Sequence, residues 1–216
     1  MRYLMVLSVL IFSACSQPEQ EEINSAHSKK PLMKSSFTIL ALGDSLTEGL
    51  GVAEKDNYPS QLQKLLPKHI SVINAGLSGE TSTGLLNRLD WVLKQQPDLT
   101  ILNIGANDAM RAVPLDLTTK NIDTIITKIK TSGSAVIFAG MQIYDNLGKA
   151  YVTQFNDLYP KLANKHKVIF IPFFLEHVAG KTEFNQSDMI HPNAKGYAII
   201  VEKNIYPAVQ KYLNTL

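Results

Sequence analysis

The segment Phe37–Leu46 reads FTILALGDSL, a mainly apolar run that stops at a glycine followed by an aspartate and a serine. A short, almost continuous apolar run is typical of a strand that is buried on both faces of a parallel sheet. A polar turn directly after such a strand lies at the edge of the sheet. The stretch therefore predicts a buried strand that presents Ser45 where it ends.

Four further runs of the same kind follow along the chain: Ile70–Ile73, Leu99–Ile104, Ala135–Ala139 and Val168–Ile171. Between them, apolar residues recur at the i, i+3, i+4, i+7 spacing of amphipathic helices, and one of these stripes includes Trp91, which we expect in the core. A last helical segment, Ala194–Leu213, contains Pro207, which predicts a kink or a restart. Strands that alternate with helices indicate a parallel sheet covered on both faces. We therefore predict an α/β fold with three layers, α/β/α, around a five-stranded parallel sheet.

The length and composition fit one globular domain. The chain has 216 residues, of which 45% are hydrophobic and 19% charged, which is enough for a sizeable core and argues against disorder. A net charge of +2 is too small for a nucleic-acid surface, and no zinc-finger, RNP or basic-helix pattern occurs. We therefore expect a monomer with no nucleic-acid partner.

The N-terminal residues differ in character from the rest of the chain. Arg2 precedes the apolar stretch Leu4–Phe12, which is too short to span a bilayer, and the single cysteine, Cys15, follows two small residues. This pattern resembles a bacterial lipoprotein signal, in which the cysteine is lipidated and becomes the mature N-terminus. The alternative is an ordinary secretory peptide that is cleaved after Ala14.

The lipoprotein interpretation divides the chain into three parts. We expect the signal peptide at 1–14, the lipidated cysteine with a polar tether at 15–36, and the folded domain at 37–216. The protein would then be anchored by its lipid in the cell envelope. Ser16, rather than an aspartate, follows the cysteine, which favours the outer membrane, facing the periplasm, if the cell has two membranes. If the cysteine is not lipidated, the protein would be periplasmic or secreted.

Chemically useful residues fall just after the ends of the predicted strands: Ser45 after the first, Gly76 after the second, Asn107 after the third, and Asp188 with His191 after the fifth. In open parallel sheets, ligand sites form outside the carboxyl ends of the strands. These sequence-distant residues are therefore expected to share one edge of the sheet.

Each of these residue types has a chemical reason to be there. A serine hydroxyl becomes a nucleophile when a base takes its proton and a third group orients that base, and His191, with Asp188 three residues earlier, offers both. The N–H groups of Ser45 and Gly76 and the amide of Asn107 are candidate donors to a developing oxyanion. The pattern favours hydrolysis.

Four blocks carry a resemblance to a known family: Gly43–Leu46, Asn74–Gly76, Gly105–Asp108 and Asp188–His191. In this order they resemble the SGNH (GDSL) hydrolase superfamily, in particular its bacterial thioesterase I, lysophospholipase and arylesterase branch. The resemblance implies a flavodoxin-like fold and no metal or organic cofactor. It makes Ser45 the nucleophile, His191 the base and Asp188 its orienting acid, and it forms the oxyanion hole from Ser45, Gly76 and Asn107.

The expected function is that of a serine esterase that hydrolyses carboxylic esters or thioesters, such as aryl esters, acyl thioesters or lysophospholipids, through an acyl-enzyme on Ser45. An apolar rim suits an acyl or lipid substrate; it comprises Leu46, Leu50, Leu77, Met110, Met141, Ile143 and Phe174. Two alternatives stay open. One is an esterase that removes O-acetyl groups from envelope carbohydrate, and the other is a tethered binding protein with an inactive hydrolase fold.

Other polar residues near these blocks have simpler interpretations. Asp44 is too close to the nucleophile in sequence to reach behind the histidine, so we expect a structural hydrogen-bonding role, and Asp108 is expected to brace the loop that carries Asn107. Glu80 and Arg111 are more often solvated loop charges than substrate contacts. The segment 76–81 is either a mobile loop or a stiff turn before the next helix.

Overall fold

The computed structural model describes residues 36–144 and 147–216. The predicted signal peptide, Cys15 and all of the tether except Ser36 lie outside the described residues, so the division at the N-terminus and the lipidation stay predictions. Within the described part of the chain, no helix has the length and apolar character needed to cross a membrane.

A five-stranded, fully parallel sheet forms the centre of the domain, in the order β2-β1-β3-β4-β5. Its strands are β1 (Phe37–Gly43), β2 (Ile70–Gly76), β3 (Leu99–Asn103), β4 (Ala135–Ala139) and β5 (Ile169–Ile171). The order is that of flavodoxin-like folds. The predicted fold class is confirmed.

The register of the sheet brings distant parts of the chain to one edge. Gly43, the last residue of β1, pairs with Gly76 of β2 on one side and with Asn103 of β3 on the other. The central residues Ile39–Leu42 of β1 are fully buried, as their apolar character requires. The loops that follow these three strands therefore start side by side.

Helices cover both faces of the sheet because each connection between parallel strands must cross over one face. They are α1 (Ser45–Glu48), α2 (Tyr58–Leu65), α3 (Ser82–Val92), α4 (Ala106–Met110), α5 (Leu115–Thr131), α6 (Lys149–His166), α7 (Ala194–Ile200) and α8 (Tyr206–Leu213). Helices α3, α5 and α6 pack side by side in one layer, and α2 packs with α7 in the other. This is the three-layer arrangement that the sequence predicts.

Two local features refine the predicted helices. The π-helical segment Val201–Ile205 separates α7 from α8 just before Pro207, where a proline ring would collide with the carbonyl four residues earlier in a regular helix. Trp91 is 66% exposed, so its expected place in the core is wrong. The buried stripe of α3 contains Leu89 and Val92, and Trp91 lies off that stripe by helical phase.

Candidate active site

The segment Gly43–Glu48 runs from the last residue of β1 through the short helix α1 and presents Ser45; we call this segment the nucleophile turn. Asp44 caps α1, since its Oδ1 accepts the Leu46 N–H at 3.0 Å. Ser45 is then the first residue of the helix, and its side chain and backbone are 8% exposed. Its own N–H donates no hydrogen bond to another described residue, as expected for the first turn of a helix. The turn thus offers a hydroxyl and an unpaired N–H at the same position.

The candidate base lies on the loop Asn185–Pro192, which we call the histidine loop. A bridge between Asn185 and Pro192 closes the loop, and the Gln186 N–H donates to the His191 carbonyl at 2.8 Å. The Gln186 side chain donates through Nε2 to the Leu50 carbonyl at 2.7 Å, just beyond the nucleophile turn. The loop is therefore closed on itself and attached to the segment that carries the serine.

Ser45, His191 and Asp188 form a continuous chain of hydrogen bonds. Ser45 Oγ lies 2.9 Å from His191 Nε2, and His191 Nδ1 lies 2.7 Å from Asp188 Oδ2. These distances fit an imidazole that donates through Nδ1 to the carboxylate and accepts the serine proton at Nε2. The structure brings together the three residues that the sequence analysis assigned to the triad.

Asp188 is held in its charged form. Burial would raise its pKa, but hydrogen bonds from the His191 N–H, the His191 ring and the Ile190 N–H outweigh burial and lower the pKa to about 2. The two N–H groups donate to Oδ1 at 2.9 and 3.0 Å, which leaves Oδ2 for the ring. A carboxylate fixed in this way orients the imidazole and stabilises its protonated form.

Asn107 faces the same site from α4. It is 7% exposed, and its Nδ2 lies 3.4 Å from Asp44 Oδ2, which orients the amide toward the nucleophile turn. The neighbouring Asp108 is fully buried and accepts the Ser82 N–H at 2.8 Å and the Ser82 hydroxyl at 2.5 Å. Asp108 therefore braces this region, in agreement with the interpretation made from the sequence.

Gly76 does not join the site, and its expected role as an oxyanion donor is wrong. Strand β2 continues to Gly76 instead of stopping at Ile73, so Gly76 is still a strand residue. Its N–H donates to Asn74 Oδ1 at 3.0 Å, and its α-carbon packs against the backbone of Thr47 and Glu48. The Gly76 N–H is thus already used by a side chain of its own strand.

The loop Leu77–Ser82, which we call the donor loop, offers another backbone donor that the sequence analysis missed. The Leu77 N–H donates to the Gly43 carbonyl at 3.0 Å, which starts the loop beside the nucleophile turn. Gly79 has a φ of 75° in the left-handed region, and its N–H forms no hydrogen bond within residues 36–144 and 147–216. The available signal was the dipeptide Ser78–Gly79, a pairing that is typical of turns.

A cavity of about 460 Å³ opens beside Ser45 and His191. Most of its walls are apolar: Leu46, Ala106, Met110, Met141, Ile143, Tyr144, Leu147, Phe173, Leu175, Ala179, Met189 and Ile190. Four of the seven rim residues expected from the sequence are among them, whereas Leu50, Leu77 and Phe174 are not. Phe174 is fully buried and packs edge-on against Tyr58 in the core. The cavity suits an apolar acyl group next to the serine.

The described residues contain no group of three or more His, Cys, Asp or Glu side chains that could hold a metal ion. The polar residues that line the cavity are Asp44, Ser45, Asn107, Gln142 and His191, together with the hydroxyl-bearing Tyr144. The expectation that no cofactor is needed stays a prediction.

A protein-family model for the GDSL-like lipase/acylhydrolase family matches residues 41–199. The match covers most of the domain and includes Ser45, Asn107, Asp188 and His191. The chain belongs to this family. The resemblance found in the four sequence blocks is thereby confirmed.

Relatives and solved structures support the same family. An arylesterase of Vibrio mimicus is 39% identical over 78% of this chain and 86% of its own length. Thioesterase 1/protease 1/lysophospholipase L1 of Escherichia coli K12 is 34% identical over 80% of this chain and 85% of its own. The psychrotrophic esterase EstA from Pseudoalteromonas, in a structure inhibited by monoethylphosphonate, superposes with a TM-score of 0.77 at 31% identity and covers 82% of this chain and 98% of that chain. This member of the GDSL-like family is a serine esterase.

Proposed function

We propose that the chain hydrolyses carboxylic esters and thioesters of apolar acyl groups, such as aryl esters, acyl thioesters or lysophospholipids, through an acyl-enzyme on Ser45. One observation carries the proposal: Ser45 Oγ lies 2.9 Å from His191 Nε2 at the wall of an apolar cavity. The named activities of the arylesterase and thioesterase relatives support this substrate class.

In the first half of the reaction, Ser45 Oγ forms a bond to the acyl carbon while its proton passes to His191 Nε2. The carbonyl oxygen takes up the electron pair and becomes an oxyanion. The free N–H of Ser45, the amide of Asn107 and the N–H of Gly79 are the proposed donors to this oxygen. The bond to the alcohol or thiol then breaks, and the leaving group receives the proton from His191.

In the second half, a water molecule attacks the acyl carbon of the ester on Ser45. His191 takes one proton from this water and returns it to Ser45 Oγ when the second tetrahedral state breaks down. The products are the free carboxylic acid and the restored serine. Throughout the cycle, Asp188 keeps Nδ1 protonated and stabilises the imidazolium.

The apolar cavity favours an acyl group over a sugar. Carbohydrate hydroxyls need polar partners, and the walls beside Ser45 present mainly aliphatic and methionine side chains. This weakens the case for an envelope carbohydrate O-acetyl esterase. The intact hydrogen-bond chain of the triad argues against an inactive binding protein.

For the location, we propose lipid anchoring of Cys15 in the cell envelope, facing the periplasm if the cell has two membranes. The support is the sequence pattern around the single cysteine, which precedes a polar tether. An ester-cleaving domain held at a membrane would have lipid esters close to its active site.

The decisive experiment measures turnover of p-nitrophenyl esters from acetyl to palmitoyl by the wild type and by Ser45→Ala, together with labelling by a fluorophosphonate probe. We expect labelling of Ser45 and a loss of at least about 10⁴-fold in kcat in the variant. Preference for medium acyl chains supports the proposal, whereas preference for acetylated oligosaccharides would favour the carbohydrate esterase. Absence of both labelling and turnover would favour the binding protein.

A further inference from the structure

The first end of the donor loop is tied to the nucleophile turn. The Ser78 N–H donates to Glu48 Oε2 at 2.7 Å, and the Ser78 hydroxyl contacts the same carboxylate oxygen. Glu48 is the last residue of α1, the short helix that begins with Ser45. Movement of this end of the loop is therefore coupled to the helix that carries the nucleophile.

The second end of the donor loop is tied to α4, the helix that carries Asn107. Ser82 donates its N–H and its hydroxyl to Asp108, and the Asn121 side chain donates to the Ser82 hydroxyl at 3.1 Å. All three residues are buried. Buried, fully paired polar groups of this kind rigidify the backbone that they hold.

The middle of the donor loop is held by an ion pair. Glu80 is 6% exposed, so the expectation of a solvated loop charge is wrong. Its Oε1 accepts from Arg88 Nε at 2.6 Å and its Oε2 from Arg88 Nη2 at 2.5 Å, in a bidentate pair. Arg88 Nη2 also donates to the carbonyl of Ala75 at 2.8 Å. One guanidinium thus joins the loop to the end of β2.

The buried ion pair of Glu80 and Arg88 contributes little net stability. Removing a carboxylate and a guanidinium from water costs free energy, and this cost offsets much of their attraction. The ion pair has a geometric effect: the planar guanidinium of Arg88, on α3, binds both carboxylate oxygens of Glu80 and so fixes the side chain that directly follows Gly79. Gly79 lies between the Ser78 contact and the Glu80 contact, and its N–H has no hydrogen-bond partner among the described residues.

We propose that Arg88, through Glu80, is a positioning residue that holds the Gly79 N–H toward the oxyanion beside Ser45 and Asn107; this rests on the esterase mechanism proposed above. A lysine can replace this function only in part, because its ammonium keeps the charge but does not make a planar bidentate contact and reach the Ala75 carbonyl in the same geometry. Displacement of a donor by about 1 Å already weakens its contact with the transition state strongly.

The test compares the kinetics of full-chain variants Arg88→Met, Arg88→Lys and Glu80→Gln on a p-nitrophenyl ester. The oxyanion forms only as the reaction proceeds, so loss of a positioned donor lowers kcat and leaves KM nearly unchanged. We expect kcat to fall by about 10- to 100-fold in Arg88→Met, with KM within about twofold, and we expect Arg88→Lys to recover part of the loss.

Lys128→Met is the matched control. It breaks the ion pair of Lys128 with Asp90, an exposed residue of the helix α3 that carries Arg88, and it removes no contact of Glu80 or Arg88. Its kcat is expected to equal that of the wild type. Thermal unfolding of every variant separates loss of fold from loss of positioning.

The outcomes distinguish this inference from the proposed function. If Ser45→Ala keeps its turnover in the same assay, the serine mechanism fails and the positioning role fails with it. If turnover needs Ser45 but folded Arg88→Met keeps wild-type kcat, only the positioning role is overturned. Should Arg88→Met not fold, Arg88→Lys and Glu80→Gln decide: a lower kcat at constant KM supports the role, and a lower melting temperature alone contradicts it.

Discussion

The nucleophile turn and the histidine loop each carry one aspartate close to Ser45 or His191, and the pKa values of these two carboxylates are shifted in opposite directions from that of an ordinary aspartate. Asp44, in the nucleophile turn, is 1% exposed, and burial raises its pKa to about 6. The Asp188 side chain, in the histidine loop, is 43% exposed, and its pKa is lowered to about 2. The buried aspartate is therefore the more easily protonated of the two.

The donors around each carboxylate explain the difference. Asp44 receives the Leu46 N–H at 3.0 Å and the Asn107 amide only at 3.4 Å, and the charge of Glu80 raises its pKa further. Asp188 receives two N–H groups and the imidazole, all within 3.0 Å. Desolvation favours the neutral acid and hydrogen bonds favour the anion. Hydrogen-bond donors keep Asp188 ionised, as the acid of a triad must be, whereas Asp44 is close to the serine but lacks enough donors.

The largest expected effect comes from removing the acid of the histidine loop. Asp188→Ala leaves the His191 ring without its partner at Nδ1, so the imidazole loses its orientation and the stabilisation of its charged form. We expect kcat on p-nitrophenyl esters to fall by about 10³–10⁴-fold. The measurement is steady-state turnover at neutral pH.

A matched control for this variant is Asp157→Ala, which removes an exposed carboxylate that pairs with Lys161 on α6. It is expected to leave kcat unchanged. A loss of tenfold or less in Asp188→Ala would show that another group, such as Asp44, orients the histidine. That result would contradict the division of roles between the two aspartates.

A smaller loss is expected on the side of the nucleophile turn. Asn107→Ala removes one proposed oxyanion donor and its contact with Asp44, which should lower kcat by about 10²–10³-fold with little change in KM. The comparison variant is Asn87→Ala, at an exposed position of α3. Equal kcat values for the two variants would mean that the Asn107 amide does not contact the transition state.

Much of the fold and of the triad could be predicted because the relevant signals are local. Buried parallel strands are continuous apolar runs, and their carboxyl ends meet at one edge. Ser45, Asn107 and His191 each follow such an end closely, so their meeting depends only on the strand order. Asp188 lies three residues from His191, within one short turn.

The position of Gly76 could not be predicted correctly because the end of β2 carries no apolar signal. Residues 74–76 are half-buried or exposed and polar or small, yet they stay in the ladder because Leu42 and Gly43 of β1 pair with them. Pairing with a strand that is distant in sequence produces no periodic pattern of apolar residues in residues 74–76. The sequence pattern therefore placed Gly76 after the strand, whereas the structure shows it as the last residue of β2.

The pair of Glu80 and Arg88 was missed for a related reason. The two residues are eight positions apart, across the start of α3, and such a spacing does not indicate a contact. Charged residues in loops are usually solvated. The contact becomes visible only in the folded chain, where Arg88 binds both the Glu80 carboxylate and the Ala75 carbonyl of β2.

The smallest expected effect concerns the other aspartate and tests its raised pKa directly. Asp44→Asn keeps an acceptor for the Leu46 N–H and removes the titrating group. The folded chain holds the Asp44 proton up to about pH 6, whereas the unfolded chain releases it near pH 3.8, the ordinary pKa of an aspartate. The stability due to this proton is thus fully present below about pH 4 and is lost as the pH rises through 6.

The free energy of unfolding of Asp44→Asn relative to the wild type should therefore rise by about 2–3 kcal/mol between pH 4 and pH 7, measured by urea unfolding at each pH. Other titrating groups are shared by both chains and cancel in this difference. We expect kcat of Asp44→Asn to fall only about fivefold, because the substitution weakens one hydrogen bond, the one that Asn107 donates to Asp44, and such a bond contributes about 1 kcal/mol. A stability difference that does not change with pH would show that the pKa of Asp44 is not raised in the folded chain, and this would contradict the contrast drawn between the nucleophile turn and the histidine loop.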